Sequence, residues 1–262
     1  MTAMVASDID GTLCVRGDSS HSRRVGQHTV HIVDSWSGGA AVTTDTVRRV
    51  WRRLAARRSL IPATARSMEQ FRRIRWPGPT PAWAVVLNGA VILRDGVVDQ
   101  SWGRFYEHQA RGRWNPIIAE RLVRAHIADW RLVDVSPGCF VKSRSFEAPT
   151  TEEVAELRAA ALAHSMVCSV QGRSVYLGPQ GLGKREALAW IADRVGAIKA
   201  SAGDSAHDVD MLRWTSKSIC PRGSEAHSAL LGTSTSVADG TPLDQVSSIA
   251  VWLEFQSLKI ER

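Results

Sequence analysis

Two aspartates stand two residues apart at the end of a short apolar run near the start of the chain. Asp8 and Asp10 follow the run Met4-Val5-Ala6, which predicts a buried strand, and Gly11 allows a sharp turn directly after them. Side chains at positions i and i+2 of a strand point to the same side, so the two carboxylates can converge on one point. Converging carboxylates repel one another unless a cation lies between them, and Mg2+ prefers oxygen ligands of this kind. The stretch therefore predicts a metal-assisted acid site, and an ordinary strand with an Asp-Gly turn is the structural alternative.

Further polar side chains stand at the ends of other predicted strands or at the start of a helix: Thr64, Lys184, Asp204 and Asp208. In a doubly wound sheet, ligands bind beyond the carboxyl ends of the strands, so these groups are expected to meet. Acids for a metal, a hydroxyl donor and an ammonium group together suit a phosphate held between Mg2+ and lysine. Each group also has a structural alternative: a strand-end cap for Thr64, a surface lysine for Lys184, and a helix N-cap for Asp208.

The elements that must position these groups alternate along the chain. Strand and helix patterns succeed one another in residues 1–90 and again in 179–262, which predicts an α/β fold with a doubly wound parallel sheet. The run Trp83–Leu87 is interpreted as a third parallel strand of this sheet. Residues 91–178 instead show hairpins and two helices, which predicts an inserted α+β module of about four antiparallel strands.

The interval 15–42 lies between the aspartate pair and the first amphipathic helix, and it fits neither pattern. Val30–Val33 is interpreted as a short strand within it. Two interpretations stay open: a flexible surface hairpin, or a flap over the site that Asp8 and Asp10 build.

Composition narrows the class of protein. The chain is 44% hydrophobic, which allows a sizeable core, and no apolar run approaches the ~20 residues of a membrane span. With no signal peptide at its start, a soluble cytoplasmic protein is expected. The net charge of +7 comes mostly from arginine pairs that are interpreted as solvated helix faces, although a nucleic-acid patch is the alternative. A basic surface also attracts anionic substrates.

The four cysteines are expected to be buried free thiols: Cys14, Cys139, Cys168 and Cys220.

Five short motifs in a fixed order resemble those of the haloacid dehalogenase superfamily of phosphatases. They are Asp-Ile-Asp-Gly-Thr-Leu from residue 8, Ala-Thr-Ala-Arg at 63–66, Asn-Gly-Ala at 88–90, Gly-Lys-Arg-Glu-Ala-Leu from 183, and Gly-Asp-Ser-Ala-His-Asp from 203. The resemblance is to subclass IIB, the Cof-like and sucrose-phosphate-phosphatase-like group, whose α+β cap is inserted between the second and third motifs. It covers nearly the whole chain and implies a Rossmann-like catalytic core at 1–90 and 179–262, with a cap that selects the substrate at 91–178.

The resemblance also implies a role for each motif residue. Asp8 would be the nucleophile that forms an aspartyl-phosphate, Asp10 the general acid and base, and Thr64 and Lys184 would bind phosphate or balance its charge. The implied Mg2+ ligands are Asp8, Asp10 (through its backbone carbonyl), Asp204 and Asp208. The implied phosphate or substrate contacts are Gly11, Thr12, Ala65, Arg66, Asn88 and His207. Two residues depart from the family pattern: Ala65 replaces the usual Gly, and His207 the usual Asn. Arg66 has a structural alternative as a salt-bridged surface residue.

The implied activity is Mg2+-dependent hydrolysis of a phosphomonoester, with a phosphorylated sugar, cyclitol or glycosyl-polyol as substrate. A phosphomutase of the same subclass and a nucleotide or cofactor phosphatase remain as alternatives. A non-catalytic binding protein is less compatible, because Asp8, Asp10, Lys184 and Asp204 are all present. The expected partner is a small phosphorylated molecule, with neither nucleic acid nor membrane, and the protein is expected to be a monomer or homodimer.

Overall fold

The computed structural model describes residues 3–17, 23–36, 39–136 and 140–258 of the chain. Their strands are β1 (Met4–Ser7), β2 (Val15–Gly17), β3 (Arg23–Val25), β4 (His28–Trp36), β5 (Gly39–Thr44), β6 (Leu60–Pro62), β7 (Trp83–Val86), β8 (Val91–Arg94), β9 (Val97–Val98), β10 (Trp130–Ser136), β11 (Phe140–Ser145), β12 (Met166–Gln171), β13 (Ser174–Pro179), β14 (Ile198–Ala202), β15 (Lys217–Pro221) and β16 (Ser236–Ala238). Their helices are α1 (Asp45–Ala56), α2 (Met68–Arg72), α3 (Gln100–Ala110), α4 (Pro116–His126), α5 (Thr151–Ala163), α6 (Lys184–Val195), α7 (Val209–Trp214), α8 (Glu225–Ala229) and α9 (Pro242–Leu258).

A parallel sheet in the order β16-β15-β14-β1-β6 forms the centre of the molecule. Successive strand residues alternate between its faces, so Val5 packs with α1 and α9 while Ala6 packs with α6 and α7. Because both faces are covered by helices, the central strands are mostly buried and mostly apolar. The α/β class with a doubly wound sheet, predicted from the alternating pattern, is confirmed.

The interpretation of Trp83–Leu87 as a third parallel strand is only partly right. β7 pairs antiparallel with β8, and a single parallel bridge between Val85 and Ala63 links it to the chain that leaves β6. Val85 also accepts the backbone N–H of Thr64 at 2.8 Å. The residues after β7 turn back immediately, so β7 and β8 form a hairpin that extends the sheet beside Thr64.

The interval 15–42 contains far more structure than one short strand. Together with the residues up to 44 it forms an antiparallel sheet of four strands in the order β2-β5-β4-β3, and Thr44 at its end caps α1 by accepting the N–H of Val47. β4 runs over nine residues, and its last part carries Asp34 and Trp36 to the cleft described below.

A second antiparallel sheet, β10-β11-β13-β12, packs against α4 and α5 around its own apolar cluster. Residues 91–110, which the motif order assigned to this inserted unit, pack elsewhere. Ile92 on β8 and Trp102 on α3 belong to the cluster beneath α6 of the central sheet. α3 itself was not predicted, although Asp99 as N-cap and the apolar spacing of Trp102, Tyr106 and Ala110 are helix signals. These contacts favour a boundary between α3 and α4, and the division into two domains stays a prediction.

The described cysteines Cys14, Cys168 and Cys220 are buried free thiols, and Cys139 lies outside the described residues. Within the described ranges, no helix has the length and apolar character required to cross a membrane.

The turn after β7 fixes the start of α6. Asn88 and Gly89 have positive φ angles of 54° and 106°, and Trp102 donates its indole N–H to the Gly89 carbonyl at 2.9 Å. A Cβ at Gly89 would lie 2.3 Å from the Gly183 carbonyl oxygen, directly before Lys184. Glycine is therefore required here both by the backbone angle and by close packing.

We expect Gly89→Ala to lower the free energy of unfolding by about 3 kcal/mol, because the new methyl group must displace the backbone at the start of α6. Gly96→Ala is the matched control: Gly96 also has a positive φ, of 80°, but nothing lies within 4 Å of its added Cβ. It should cost only about 1 kcal/mol of backbone strain. Urea unfolding of both variants measures the difference, and equal losses would contradict the packing argument.

Candidate active site

Asp8 and Lys184 meet in the interior of the protein. Asp8 directly follows β1 and Lys184 is the first residue of α6, and the lysine Nζ donates to Oδ1 of Asp8 at 2.7 Å and to Oδ1 of Asp208 at 2.7 Å. Lys184 is only 1% exposed, so it is not the surface lysine of the structural alternative. Burial acts to lower the lysine pKa, but the charges of Asp208 and Asp8 outweigh it and hold the pKa above its usual value.

Three carboxylates converge beside this lysine. Ligand oxygens of Asp8, Asp204 and Asp208 lie within 4.8 Å of one another. Burial raises the pKa of Asp8 to about 7 against the opposing charge of Lys184, and repulsion from Asp208 and Asp10 adds to the rise. Burial and then repulsion from Asp8 and Asp208 raise the pKa of Asp204 well above its usual range. The cluster thus holds more negative charge than Lys184 alone balances.

Gly11 and Thr12 bring the first motif against Asp204. A Cβ at Gly11, whose φ is 80°, would lie 2.2 Å from Oδ2 of Asp204, so only glycine lets the acid approach the turn. The buried hydroxyl of Thr12 donates to Oδ1 of Asp204 at 3.4 Å. Both residues therefore shape the acid cluster.

Asp208 organises its neighbours through both carboxylate oxygens. Oδ1 accepts from Lys184, while Oδ2 accepts from the backbone N–H groups of Asp204 and Ser205 and from the Ser205 hydroxyl, at 2.7–3.1 Å. The side chain is completely buried. With its oxygens engaged in this way, Asp208 orients Lys184 and the Asp204 loop.

Asp10 points away from the acid cluster toward Arg66. The guanidinium binds both Asp10 oxygens, with Nε to Oδ2 at 2.6 Å and Nη2 to Oδ1 at 2.7 Å, and its Nη1 donates to Oδ2 of Asp34 at 2.7 Å. Asp34 is 3% exposed and lies on β4, so the sheet of residues 15–44 contributes directly to the site. Sequence reasoning missed Asp34; the available signal was an acid directly after the apolar pair Ile32-Val33 of a predicted strand. Arg66 is a buried, doubly ion-paired residue rather than a surface one.

Thr64 presents a hydroxyl at the mouth of the sheet. It is 1% exposed, and its Oγ1 accepts the backbone N–H of Arg66 at 3.1 Å, so the hydroxyl proton remains to donate to a ligand. Ala65 lies between them and lines the same cleft.

Asn88 and His207 form a pair on the other side of the cleft. The Asn88 amide nitrogen lies 3.0 Å from Nδ1 of His207, an arrangement in which the neutral ring carries its proton on Nε2. Burial lowers the pKa of His207 to about 4, with help from the charge of Lys184 and against that of Asp208. His207 is therefore neutral near pH 7 and can donate one hydrogen bond from Nε2. Oδ1 of Asn88 is buried without a hydrogen-bond partner among the described residues.

A cleft of about 620 Å3 opens above these groups. Its floor holds Asp8, Asp10, Thr64, Ala65, Arg66, Lys184 and His207, while Asp204 borders the adjoining cleft beside Gly11. Sequence reasoning did not single out most of the residues that form the remaining walls. They include Arg16, Asp34, Trp36 and Arg73 on one side. On the other side they include Phe140, Lys142 and Arg144 on β11, Arg173 in the turn before β13, and Ser174 and Tyr176 on β13. Most of the predicted residues therefore line two adjoining clefts, while Thr12, Asn88 and Asp208 line neither and each contact another site residue.

We expect His207→Asn to make stability less sensitive to acid. The unfolded chain takes up a proton on His207 near pH 6.5 but the folded protein only near pH 4, so protonation favours unfolding as the pH falls through this window. Between pH 7 and 4.5 the wild type should lose about 2 kcal/mol more of its free energy of unfolding than the variant. Urea titrations at both pH values test this, with the exposed His108→Asn as the control that should match wild type. An equal loss in His207→Asn would contradict it.

Comparisons with known proteins find their matches among solved structures. A scan against protein-family models finds no match, and a search of curated proteins finds none. The sucrose-phosphatase of Synechocystis, solved with sucrose and phosphate, is 16% identical with a TM-score of 0.64, and the match covers 96% of this chain and 98% of that one. A HAD subclass IIB sugar phosphatase is 14% identical with a TM-score of 0.56 and coverages of 98% and 100%. The C-terminal domain of C. albicans trehalose-6-phosphate phosphatase is 11% identical with a TM-score of 0.54 and coverages of 97% and 92%. The fold that the motifs predicted is thereby confirmed: the chain has the fold of the haloacid dehalogenase superfamily phosphatases of subclass IIB.

Proposed function

We propose that this protein is a phosphatase that hydrolyses a phosphomonoester through an aspartyl-phosphate on Asp8. The observation that carries the proposal is the buried contact of Asp8 with Lys184 at 2.7 Å, at the floor of a cleft and beside two further carboxylates. A carboxylate held by a fixed ammonium group, at the carboxyl end of a parallel strand, is suited to attack an electrophile that enters from the cleft. The shared fold with sugar phosphatases supports the same reading.

In the first step, an Asp8 oxygen attacks phosphorus in line and the bond from phosphorus to the leaving oxygen breaks. The Thr64 hydroxyl donates a hydrogen bond to one phosphoryl oxygen, and Nε2 of His207 donates a hydrogen bond to the phosphate from the other side of the cleft. Lys184 balances the negative charge of Asp8 and of the arriving phosphate. In the second step, water attacks phosphorus and releases inorganic phosphate, which restores Asp8.

Asp10 serves as general acid for the leaving oxygen and then as general base for water. Its carboxylate is 49% exposed at the cleft, whereas Asp8 is only 7% exposed, so the two acids differ in their access to solvent. Arg66 holds both Asp10 oxygens before substrate binds. A phosphate anion competes for this guanidinium, and transfer of Arg66 to the phosphate frees Asp10 to exchange its proton.

The acid cluster fits a divalent cation. Its donors are carboxylate oxygens within 4.8 Å of one another, which are the ligands that Mg2+ prefers, and the raised pKa values of Asp8 and Asp204 indicate negative charge in need of a partner. Asp8 and Asp204 would hold the ion, with the Asp10 carbonyl as the further ligand that the family resemblance implies, while Asp208 remains engaged by Lys184. When bound, Mg2+ supplies positive charge that reduces repulsion between the nucleophile and the phosphate.

The proposed substrate is a small phosphorylated sugar, cyclitol or glycosyl-polyol. The neighbours in structure include a sucrose-phosphatase and a trehalose-6-phosphate phosphatase, although at these low identities they support only the general class. The wall formed by β11 and β13 is the part of the cleft that would contact the leaving group. A phosphate-release screen over phosphorylated metabolites tests the activity, and product analysis distinguishes hydrolysis from transfer within one molecule.

We expect Asp8→Asn to lower kcat by about a thousandfold or more, because the amide keeps the shape of the carboxylate but cannot act as the nucleophile. Asp193→Asn, an exposed acid on α6, is the control for the loss of one negative charge. Phosphate release is measured on the best substrate of the screen, and circular dichroism verifies folding. Near-wild-type turnover by folded Asp8→Asn protein would eliminate the proposed mechanism.

We expect Asp204→Ala to weaken Mg2+ binding at least tenfold, because one of the two proposed carboxylate ligands is lost. Calorimetric titration with Mg2+ measures the binding directly, and EDTA should abolish wild-type phosphate release until Mg2+ is restored. Asp239→Ala, an exposed acid that pairs with Arg222, is the control and should bind Mg2+ like wild type. Full activity after exhaustive chelation would disprove the metal requirement.

A further inference from the structure

The wall of the cleft opposite Asp8 is built by one face of the β11–β13 pair. Strand alternation turns Phe140, Lys142 and Arg144 toward the cleft, while Val141 between them is buried in the cluster beneath α4 and α5. On β13, Tyr176 lies opposite Lys142 and Ser174 lies opposite Arg144, so these side chains share the cleft face. We refer to Lys142 and Arg144 on this face, together with Arg173 in the turn directly before β13, as the cap cations.

The cap cations place like charges close together on this wall of the cleft. Arg144 lies directly opposite Arg131 across the β10–β11 pair, and Arg173 directly precedes Ser174, the other cross-strand neighbour of Arg144. Like charges placed directly opposite one another destabilise a sheet. Arg131 stacks on the Phe146 ring at 4.0 Å, and Arg173 donates to the Phe146 carbonyl at 3.1 Å, so their positions are held by local contacts.

The described carboxylates that line the opposite side of the cleft are each paired with a cation. Asp10 and Asp34 bind Arg66, Asp34 also accepts from Arg73 at 3.4 Å, and Asp8 binds Lys184. By contrast, among the side chains that the structure describes, no carboxylate lies within 4 Å of a cap cation. Lys142 lies opposite an acidic residue, Asp134, in the strand register. The inference is therefore based on Arg144 and Arg173. Apart from Arg16 on the opposite wall, the cleft-lining cations that have no described carboxylate partner therefore lie on the cap side.

We propose that the cap cations bind a second anionic group of the substrate, a carboxylate or a second phosphate carried by the leaving group. The inference rests on the proposed phosphatase function and narrows its substrate class. The phosphate to be cleaved occupies the floor at Asp8, and the leaving group extends toward β11 and β13. Guanidinium groups bind carboxylates and phosphates in a planar, two-pronged manner, and here they have no acidic partner within the described residues that would compete. If the leaving group carried only hydroxyl groups, the positive charges of the cap cations would have no negative group of the substrate to bind.

Two matched pairs of compounds test the proposal. 3-Phosphoglycerate differs from glycerol 3-phosphate by a carboxylate, and fructose 1,6-bisphosphate differs from fructose 6-phosphate by a second phosphate. We expect wild-type kcat/KM to be at least tenfold higher for the doubly anionic member of one pair, which also identifies the preferred group. Arg144→Gln and Arg173→Gln should each lower this ratio about tenfold, because each removes a charge-assisted contact to the second anion. Arg121→Gln, an exposed arginine on α4 outside the cleft, should preserve the ratio.

The ratio of kcat/KM values within a pair distinguishes direct binding of the second anion from long-range electrostatic attraction. If the cap cations only draw anions toward the cleft, Arg144→Gln lowers kcat/KM for both members of a pair alike, the ratio is unchanged, and the proposal is wrong. Equal wild-type values of kcat/KM for both members of both pairs also overturn it, while the phosphatase function stands.

If none of the four compounds releases phosphate, the same four are titrated calorimetrically against Asp8→Asn protein. A doubly anionic member must then bind at least tenfold more tightly than its partner, and lose that advantage in the Arg144→Gln background. Failure to do so overturns the inference irrespective of turnover.

Discussion

The buried ion pairs of Lys184 are the interaction on which the rest of the site depends. A lysine that is 1% exposed is tolerated only because Asp8 and Asp208 each accept from it at 2.7 Å. The three residues come from the end of β1, the start of α6 and the turn before α7, so the contact joins segments far apart in sequence. Removing one partner would leave an uncompensated buried charge, which is far more costly than the pair itself. The close packing of Gly89 against Gly183 and the two-sided engagement of Asp208 both hold this arrangement in place.

A second ion network gives the proposed general acid its position. Arg66 lies between Asp10 on the floor and Asp34 on β4, and Asp34 is almost completely buried. The sheet of residues 15–44 therefore contributes a side chain, Asp34, to the ion network of the site. Asp10 is the more exposed of the two motif aspartates, while Asp8 is enclosed and held by Lys184. This difference in exposure suits the roles proposed for them, since a general acid must exchange its proton with solvent and a nucleophile is shielded from it.

The cleft is asymmetric in charge, and strand geometry is the reason. On β11, alternate residues are either packed under α4 and α5 or turned toward the cleft, so one strand supplies both an apolar core and the surface proposed to contact the substrate. Glu225 on α8 ties this unit to the floor: it accepts from the Ala206 N–H, from Ser169 on β12 and from Arg158 on α5. The acids of the floor would hold the metal and the transferred phosphate, whereas the cations of the cap would meet the remainder of the substrate. In the proposed function, catalysis and substrate selectivity therefore belong to different parts of the chain.

Local patterns in the sequence determined many of the helix and strand bounds and helix caps of this protein. The bounds of α6 and β14, the cap of α1 by Thr44, and the capping boxes at Ser67 and Thr150 depend on neighbouring residues only, and they were predictable for that reason. The motif spacing also predicted which floor residues face the cleft, since parallel strands end at one edge of the sheet. Only the tertiary structure decided that β7 turns back on β8, that α3 packs beneath α6, and that Asp34, Arg144 and Tyr176 reach the cleft. These outcomes depend on strand register and on contacts between distant segments, which no local period encodes.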